Sequence, residues 1–329
     1  MKVFMKKALI FFLIILLALC SLSACANDKY TVMTVGENAI GFDEYRYFYL
    51  NYRRDFTEEG ITDSDELAKE IKENLEFSLR KKYAISEWAK EKGISLSSDE
   101  LAYLKEQKQG YVESYGGRDV FLAEIANGFM TEELFDSVSQ AQLIEDKLRS
   151  FEYDEFTGSI RSDDATVEKY IKDNFIHATH VLIMNDEGED AEANYNLALS
   201  IAEMAANGAD FDSLILEYNE DTDMNKTTVG YYFAEGQLIA EFEEAALALE
   251  IGEVSGVVKS DIGYHVIKRL EIEDEYINKN FDTLRNIYKA RMFNVMLEER
   301  MNTLEIAYTD YHSSLTEQMI IDNIKKITE

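Results

Sequence analysis

The spacing of hydrophobic residues changes along the chain and divides it into helical and strand-rich parts. From Ser64 to Lys92, apolar residues recur every three or four positions, which predicts a long amphipathic helix that ends at Gly93. We expect Ser64 to cap its first turn, and Ser97-Ser-Asp-Glu100 to form a capping box at the next helix. Further helices are predicted at about 43–56, 119–126 and 131–148.

A different pattern occupies the region between about residues 177 and 270. His177 begins an apolar run rich in β-branched residues, which is typical of a strand, and helical patterns follow at 191–207, 211–218 and 241–249. Two more strands are predicted at 256–259 and 263–270, and helical spacing then resumes at Phe281. The sequence therefore predicts an α+β unit, a small antiparallel sheet with surrounding helices, inserted in a mainly α-helical domain.

Two of the four histidines, His180 and His265, stand near the start of matching apolar strands with the sequences ATHVLI and GYHVI. Since side chains alternate along a strand, His180 shares a face with Leu182. If the two strands are neighbours, both imidazoles meet on one face of the sheet and suggest a site. His177 is expected at the surface or at the entry of its strand.

Residues 1–24 are predicted to be a bacterial lipoprotein signal peptide. Three lysines precede an apolar run, Ala8 to Leu19, that is too short to span a bilayer comfortably. Leu22-Ser-Ala-Cys25 resembles a lipobox, in which the signal is cut before a cysteine that receives lipid. Cys25 is thus the predicted lipidation site, and lipid would anchor the chain at the extracytoplasmic face of the membrane. The alternative is an ordinary secretory signal with an incidental cysteine.

Charge and cysteine content narrow the function classes. The 329 residues include 64 acidic and 33 basic side chains, for a net charge of −31, which argues against binding to nucleic acid. Cys20 would leave with the signal and Cys25 would carry lipid, so neither disulfides nor thiol chemistry are expected. The chain contains no proline, so Gly, Asn, Asp and Ser must make its turns.

Short segments across about residues 175–271 resemble the parvulin-type peptidyl-prolyl isomerase domain, and they occur in the order of that family. They are ATHVLI with His180, Gly208-Ala-Asp-Phe211, Tyr218-Asn-Glu-Asp221, Gly236-Gln-Leu238, the helix 241–249, Gly252-Glu-Val-Ser255, and GYHVI with His265. The flanking helical pattern and the lipobox resemble exported foldase lipoproteins of the PrsA type. The resemblance implies a helical chaperone-like domain at 25–172, the isomerase domain at 173–272, and a C-terminal helical segment at 273–329 that packs with the first domain.

The resemblance also implies a site that works without metal, cofactor or covalent intermediate. Its catalytic residues would be His180, Asp221 and His265, and its substrate-binding residues Leu238, Phe242 and Ser260. Leu238 and Phe242 would hold the proline ring, Asp221 would lie near the reacting carbonyl, and Ser260 would be a hydrogen-bonding partner of the histidine pair. The alternatives are a purely structural histidine pair, a turn or cap role for Asp221, and a core position for Phe242.

Departures from the family pattern leave the activity open. Two usual glycines are replaced in 227–233, and Ile239 occupies a position that is often polar. Acids at 186–190 stand where phosphate-directed parvulins carry bases, so phosphorylated substrates are not expected. The leading hypothesis is a membrane-anchored foldase that isomerises X-Pro bonds, and the alternative is an inactive parvulin-fold holdase. Its expected partners are unfolded or newly exported polypeptides, and a homodimer is left open.

Overall fold

The computed structural model describes residues 30–185, 191–224 and 227–325, and the chain divides into two compact units. Unit 1 comprises Met1–Ser159 and Met292–Glu329, and unit 2 comprises Ile160–Arg291. The isomerase domain predicted at 173–272 lies within unit 2. The predicted signal at 1–24, the lipidation site Cys25 and the acidic stretch 186–190 lie outside the described residues.

Helices and short antiparallel sheets make up both units, which confirms the predicted fold class. In chain order the elements are β1 (Thr31–Val35), β2 (Asn38–Gly41), α1 (Phe42–Glu58), α2 (Ser64–Glu91), α3 (Ser98–Ser114), α4 (Arg118–Asn127), α5 (Glu132–Tyr153), α6 (Asp164–Asn174), β3 (Phe175–Met184), α7 (Ala191–Ala206), α8 (Phe211–Tyr218), β4 (Tyr231–Ala234), α9 (Ala240–Ala248), β5 (Val258–Ser260), β6 (Gly263–Leu270), α10 (Asp274–Thr303), β7 (Ile306–Tyr308), α11 (Asp310–Ser314) and α12 (Glu317–Ile321). No helix in the described part of the chain combines the length and apolar character needed to cross a membrane.

Unit 1 combines helices α1 to α5 with a three-stranded sheet of order β2-β1-β7. Its core includes Trp88, whose ring stacks on Phe293 at 4.8 Å. The predicted capping box at Ser97 is present, since its hydroxyl accepts from the Glu100 backbone and the Glu100 carboxylate accepts from the Ser97 backbone. The predicted cap of α2 is wrong by one residue, because the carboxylate of Asp63 accepts the first free N–H groups.

The start of one helix and the presence of two short strands differ from the sequence prediction. Helix α10 begins at Asp274 rather than Phe281, with acidic residues in its first turn, where they favour a helix N-terminus. Strand β4 lies between the helices predicted at 211–218 and 241–249, where no strand was predicted, and it pairs with the first part of β3. Strand β7 has only three residues and pairs with β1 from the opposite end of the chain, so no local pattern predicts it.

Unit 2 is built on an antiparallel sheet of order β4-β3-β6-β5. The long pair β3 and β6 places His180 opposite Ile267 and Leu182 opposite His265. One face of this pair packs on α7 and α8 through an apolar cluster that includes Val181. The other face packs on α9, and it is the face that carries both histidines.

Candidate active site

His180 and His265 meet on the face of the sheet that packs on α9, as the alternation of side chains predicts. Their Nδ1 atoms lie 3.2 Å apart. Beyond His265, Ser260 Oγ lies 2.8 Å from its Nε2, and beyond His180, Asp221 Oδ2 lies 2.9 Å from its Nε2. The four side chains therefore form one hydrogen-bonded chain that runs from strand β5 to the loop after α8.

The direction of each hydrogen bond follows from Asp221, whose ionised carboxylate can only accept. His180 therefore donates from Nε2. When His180 is neutral, its Nδ1 accepts from Nδ1–H of His265, and His265 Nε2 accepts from the Ser260 hydroxyl. Burial and repulsion by His180 lower the pKa of His265 to about 4, although the charge of Asp221 opposes the shift.

Asp221 is held by three donors. Besides His180, the Tyr231 hydroxyl donates to Oδ2 at 2.7 Å and the Asp223 backbone N–H donates to Oδ1 at 2.9 Å. The hydrogen bond from His180 is the main reason that the pKa of Asp221 lies well below its usual range; burial opposes this effect and Tyr231 adds to it. Burial, followed by the hydrogen bond to Asp221, raises the pKa of Tyr231, so its hydroxyl stays protonated and donates.

The edge of β3 beyond its pairing with β4 binds the loop that carries Asp221. Asn219 Oδ1 accepts from the Leu182 N–H at 2.8 Å, and Glu220 Oε2 accepts from the Met184 N–H at 2.6 Å. The Glu220 N–H donates in turn to the Leu182 carbonyl at 3.0 Å. These three bonds continue the edge of the sheet in place of a fifth strand and bring Asp221 to His180.

A cavity of about 310 Å³ opens over the histidine pair. Its lining is mainly apolar with a few polar groups: His180, Leu182, Met184, Asp221, Thr222, Asp223, Tyr231, Leu238, Ile239, Phe242, Ile262 and His265. The ring of Phe242 stands edge-on to both imidazoles, with centroids 5.2 Å from His180 and 5.7 Å from His265. Such a cavity suits a small apolar ring held beside fixed polar groups.

Leu238 reaches the cavity because a buried acid holds the loop in front of α9. The carboxylate of Glu243 accepts from the backbone N–H groups of Gly236, Gln237 and Leu238 at 2.8, 2.8 and 2.7 Å. Burial alone would raise the pKa of Glu243, but the three donors outweigh it and the pKa is lowered. Glu243 is a positioning residue that sequence reasoning missed, and only its place on α9 three residues after Ala240 hinted at contact with the preceding loop.

Tyr231 is the second residue that sequence reasoning missed. It follows Gly230, which has a φ of +74° and passes so close to β3 that a Cβ atom would lie 2.2 Å from the Ala178 carbonyl oxygen. This close approach starts β4 and directs the Tyr231 hydroxyl to Asp221. The signal available in the sequence was the Gly-Tyr pair within the departure from the family pattern.

The structure brings together all six predicted site residues within the described part of unit 2. Five of them line the cavity. Ser260 is buried outside the cavity lining and contacts His265. Because its hydroxyl does not reach the cavity, the chain of Ser260, histidines and Asp221 is not arranged for nucleophilic attack on a bound substrate. Within the described residues, no cluster of three His, Cys, Asp or Glu side chains could hold a metal ion.

His177 is not at the surface, although it lies near the start of β3 as expected. It is 3% exposed and stacks on Tyr232 at 3.8 Å. Its two ring nitrogens each lie 2.7 Å from a carbonyl oxygen, that of Glu271 and that of Val229. His177 therefore joins the end of β6 to the segment before β4, and it does not line the cavity.

Comparison with known proteins identifies the domain. Residues 165–273 match the family described as the PPIC-type PPIase domain. The chain is 25% identical to the foldase protein PrsA of Oceanobacillus iheyensis, over 75% of this chain and 79% of the relative, and 24% identical to PrsA of Caldanaerobacter subterraneus subsp. tengcongensis, over 98% and 99%. A solved structure of the peptidylprolyl isomerase PrsA from Bacillus anthracis is 20% identical, covers 77% of this chain and 99% of its own, and has a TM-score of 0.36. Residues 165–273 are thus a parvulin-type peptidyl-prolyl cis–trans isomerase domain, in a chain that is similar to PrsA foldase proteins over most of its length.

Proposed function

We propose that unit 2 accelerates cis–trans isomerisation of X-Pro bonds in exported proteins. The uncatalysed reaction is slow because twisting the amide sacrifices resonance, with a barrier of roughly 18–20 kcal/mol. A catalyst needs a pocket for the proline ring and polar groups that favour the twisted amide over the planar one. The observation that carries the proposal is the hydrogen-bonded chain from Ser260 to Asp221, which ends in an apolar cavity under Phe242.

Each predicted residue has a role in this proposal. Leu238 and Phe242 hold the proline ring, and Asp221 lies beside the carbonyl of residue X. The planar amide places negative charge on the carbonyl oxygen, so a fixed carboxylate destabilises that form relative to the twisted one. His180, His265 and Ser260 orient Asp221 through hydrogen bonds and transfer no proton.

Exchange spectroscopy on an Ala-Leu-Pro-Phe peptide tests the proposal with the mature protein. We expect acceleration by the wild type and a loss of about ten-fold or more in Asp221→Ala and in Phe242→Ala, since each removes a group that contacts the amide or its ring. Phe156→Ala is the matched control, because that phenylalanine is 91% exposed in unit 1. Exchange no faster than in peptide alone would refute the enzyme, and full activity in both cavity variants would refute the site.

We also propose that Cys25 carries lipid and anchors the protein at the extracytoplasmic face of the cell membrane. Support comes from the order of basic residues, apolar run and lipobox in the sequence. Growth of an expressing bacterium with a labelled fatty acid should label the wild type and leave Cys25→Ser unlabelled and outside the membrane fraction. Equal labelling of the two proteins would contradict the anchor.

A second candidate is a holdase activity in unit 1, for unfolded or newly exported polypeptides. It is favoured by helix α3, which buries none of its residues and exposes about half of each of Tyr103 and Tyr111. Exposed apolar surface of this kind is suited to extended apolar segments. Light scattering should show that Asp221→Ala suppresses aggregation of an unfolded client as well as the wild type, and that Tyr103→Ser with Tyr111→Ser does so less. Aggregation equal to that of the client alone would exclude this activity.

A further inference from the structure

His177 is a buried ring whose two nitrogens both face acceptors. Nδ1 lies 2.7 Å from the carbonyl oxygen of Glu271, and Nε2 lies 2.7 Å from that of Val229. A neutral imidazole has one N–H donor and one nitrogen lone pair, whereas a carbonyl oxygen can only accept. With a single proton, one of the two contacts would set a lone pair against a lone pair. The geometry therefore fits a ring that is protonated on both nitrogens and donates to both carbonyls.

The surroundings of the ring are suited to a positive charge. His177 lies face to face with Tyr232, with centroids 3.8 Å and planes 12° apart, and Tyr232 stacks in the same way on Tyr276 at 3.4 Å. Burial, followed by the charge of Glu273, raises the pKa of Tyr232 to about 12, so its phenol stays neutral. A cation over the face of a tyrosine ring is attracted by the electrons of that ring. The stack thus offsets part of the cost of burying the charge.

Charged groups on the neighbouring elements also favour a cation at His177. Glu273 lies directly before α10, and its charge acts on the stack. Lys172, in the last turn of α6, is paired with Asp274 at 2.8 Å. The ammonium of Lys268, on β6, lies 5.7 Å from the centre of an aromatic ring of α8. Both lysines are therefore engaged by other groups.

The Val229 carbonyl connects His177 to the active site. The next residue is Gly230, whose φ of +74° and close approach to β3 start β4. Tyr231 follows, and its hydroxyl donates to Asp221 at 2.7 Å. His177 thus fixes the chain two residues before the tyrosine that holds Asp221.

Resting on the proposed function, we propose that His177 is a positioning residue for the reaction, and that it acts as a doubly protonated imidazolium that fixes the segment leading into Tyr231. When the ring loses one proton, either the Val229 or the Glu271 carbonyl loses its donor and faces a lone pair. Both hydrogen bonds exist only while both protons are bound. The contribution of His177 is therefore present at low pH and is lost as the pH rises.

The size of the effect is limited by the hydrogen bond through which His177 acts. Loss of the bond from Tyr231 to Asp221 sets an upper limit of about ten-fold, so kcat/KM should fall by roughly three- to ten-fold between about pH 6 and about pH 9. Burial lowers the pKa of His265 to about 4 and raises that of Tyr231, so neither of these groups titrates in this range.

Nitrogen-15 NMR of the imidazole rings tests the protonation state without any substrate. In the wild type near neutral pH, we expect both ring nitrogens of His177 to carry a proton, with the ring assigned through its correlation with the backbone. A His177 ring with one unprotonated nitrogen at that pH would overturn the proposal.

Exchange spectroscopy on Ala-Leu-Pro-Phe across the same pH range tests the positioning role. His177→Phe keeps a ring over Tyr232 but has no donor, so its kcat/KM should be low at every pH. His177→Arg keeps a planar group with donors at every pH, so the fall with rising pH should disappear. His312→Phe is the matched control, because His312 lies in unit 1, and it should keep the wild-type pH profile.

A double variant separates this role from a general effect on packing. In a Tyr231→Phe background, His177→Phe should cause little further loss, because both changes break the same link to Asp221. A further loss as large as in the wild-type background, or the same pH profile in the wild type and in His177→Phe, would overturn the positioning role. No acceleration by the wild type at any pH would instead refute the proposed function, and the NMR result would still decide the protonation state.

Discussion

The two faces of the β3–β6 pair carry different kinds of side chain. The face towards α7 and α8 places Val181, Ile183 and Val266 in an apolar cluster. The face towards α9 carries His180 and His265 in a hydrogen-bonded chain beneath the cavity. Both faces come from the same two strands, because successive side chains point to opposite sides of a sheet.

In the proposed function, this difference assigns stability to one face of the sheet and the reaction to the other. Apolar burial on the α7 and α8 face stabilises the fold in proportion to the area removed from water. Each hydrogen bond on the other face contributes only about 1 kcal/mol net, but a missing partner leaves a buried polar atom unpaired. We therefore expect substitutions on the first face to change the free energy of unfolding, and substitutions on the second to change the reaction.

The largest effect on stability is expected from Ile201→Ala on α7. Ile201 is fully buried in the apolar cluster, so truncation should cost roughly 2–5 kcal/mol in unfolding free energy through lost burial and a cavity. Isomerase activity per folded molecule should not change. Denaturant unfolding checks this, with Leu199→Ala as the exposed control on the same helix. A small cost at Ile201 would show that this face does not carry the stability.

Low pH should lower the free energy of unfolding of unit 2, because His265 becomes protonated when the chain unfolds. Its pKa is about 4 in the folded protein against about 6.5 when unfolded, so in that window the unfolded chain binds a proton that the folded chain does not. Stability is thus fully present above about pH 6.5 and falls by up to about 3 kcal/mol as the pH drops towards 4. Urea unfolding at several pH values measures how the free energy of unfolding changes with pH. Most of this change should disappear in His265→Gln. An unchanged slope in that variant would exclude His265 as its source.

Tyr231→Phe should lower kcat/KM by about ten-fold. One hydrogen bond to a charged acceptor contributes about 1.4 kcal/mol, which corresponds to a ten-fold change in rate. The change removes one of three donors to Asp221 and leaves the ring in place. Tyr232→Phe is the matched control, because that ring stacks on His177 and Tyr276 away from the cavity lining. Equal losses in the two variants would indicate a general effect of β4 on packing.

The smallest effects should have opposite signs on the two faces. Thr179 lies on the apolar face, and within the described structure its buried hydroxyl has no hydrogen-bond partner. Thr179→Val should therefore stabilise the protein by about 1 kcal/mol. Ser260→Ala should destabilise it by about 1 kcal/mol, since Nε2 of His265 loses its donor. Thermal unfolding of both variants checks the pair, and equal signs would contradict the contrast between the faces.

The side-chain alternation that places each histidine on its strand is a local property, so the sequence alone predicted that the two histidines meet. Strand alternation assigned His180 to one face, and the family pattern assigned Asp221, Leu238 and Phe242 to the same region. The capping box at Ser97 was predicted in the same way, from the local sequence Ser97-Ser-Asp-Glu100.

Contacts between distant segments explain what the sequence did not predict. Tyr231 contacts Asp221 only because Gly230 lets β4 approach β3 closely, and Glu243 contacts the loop before α9 through three backbone donors. Strand β7 pairs with β1 across nearly the whole chain. Short elements of this kind are specified by partners that no local spacing reveals.

The central claim is that the face towards α9 carries the reaction and the opposite face does not. Exchange spectroscopy on one X-Pro peptide, at equal concentrations of folded protein, tests it with Asp221→Asn and Ile201→Ala side by side. We predict that Asp221→Asn loses about ten-fold or more of the catalysed rate while Ile201→Ala keeps it. A normal rate in Asp221→Asn, or an equal loss in both variants, would contradict the account.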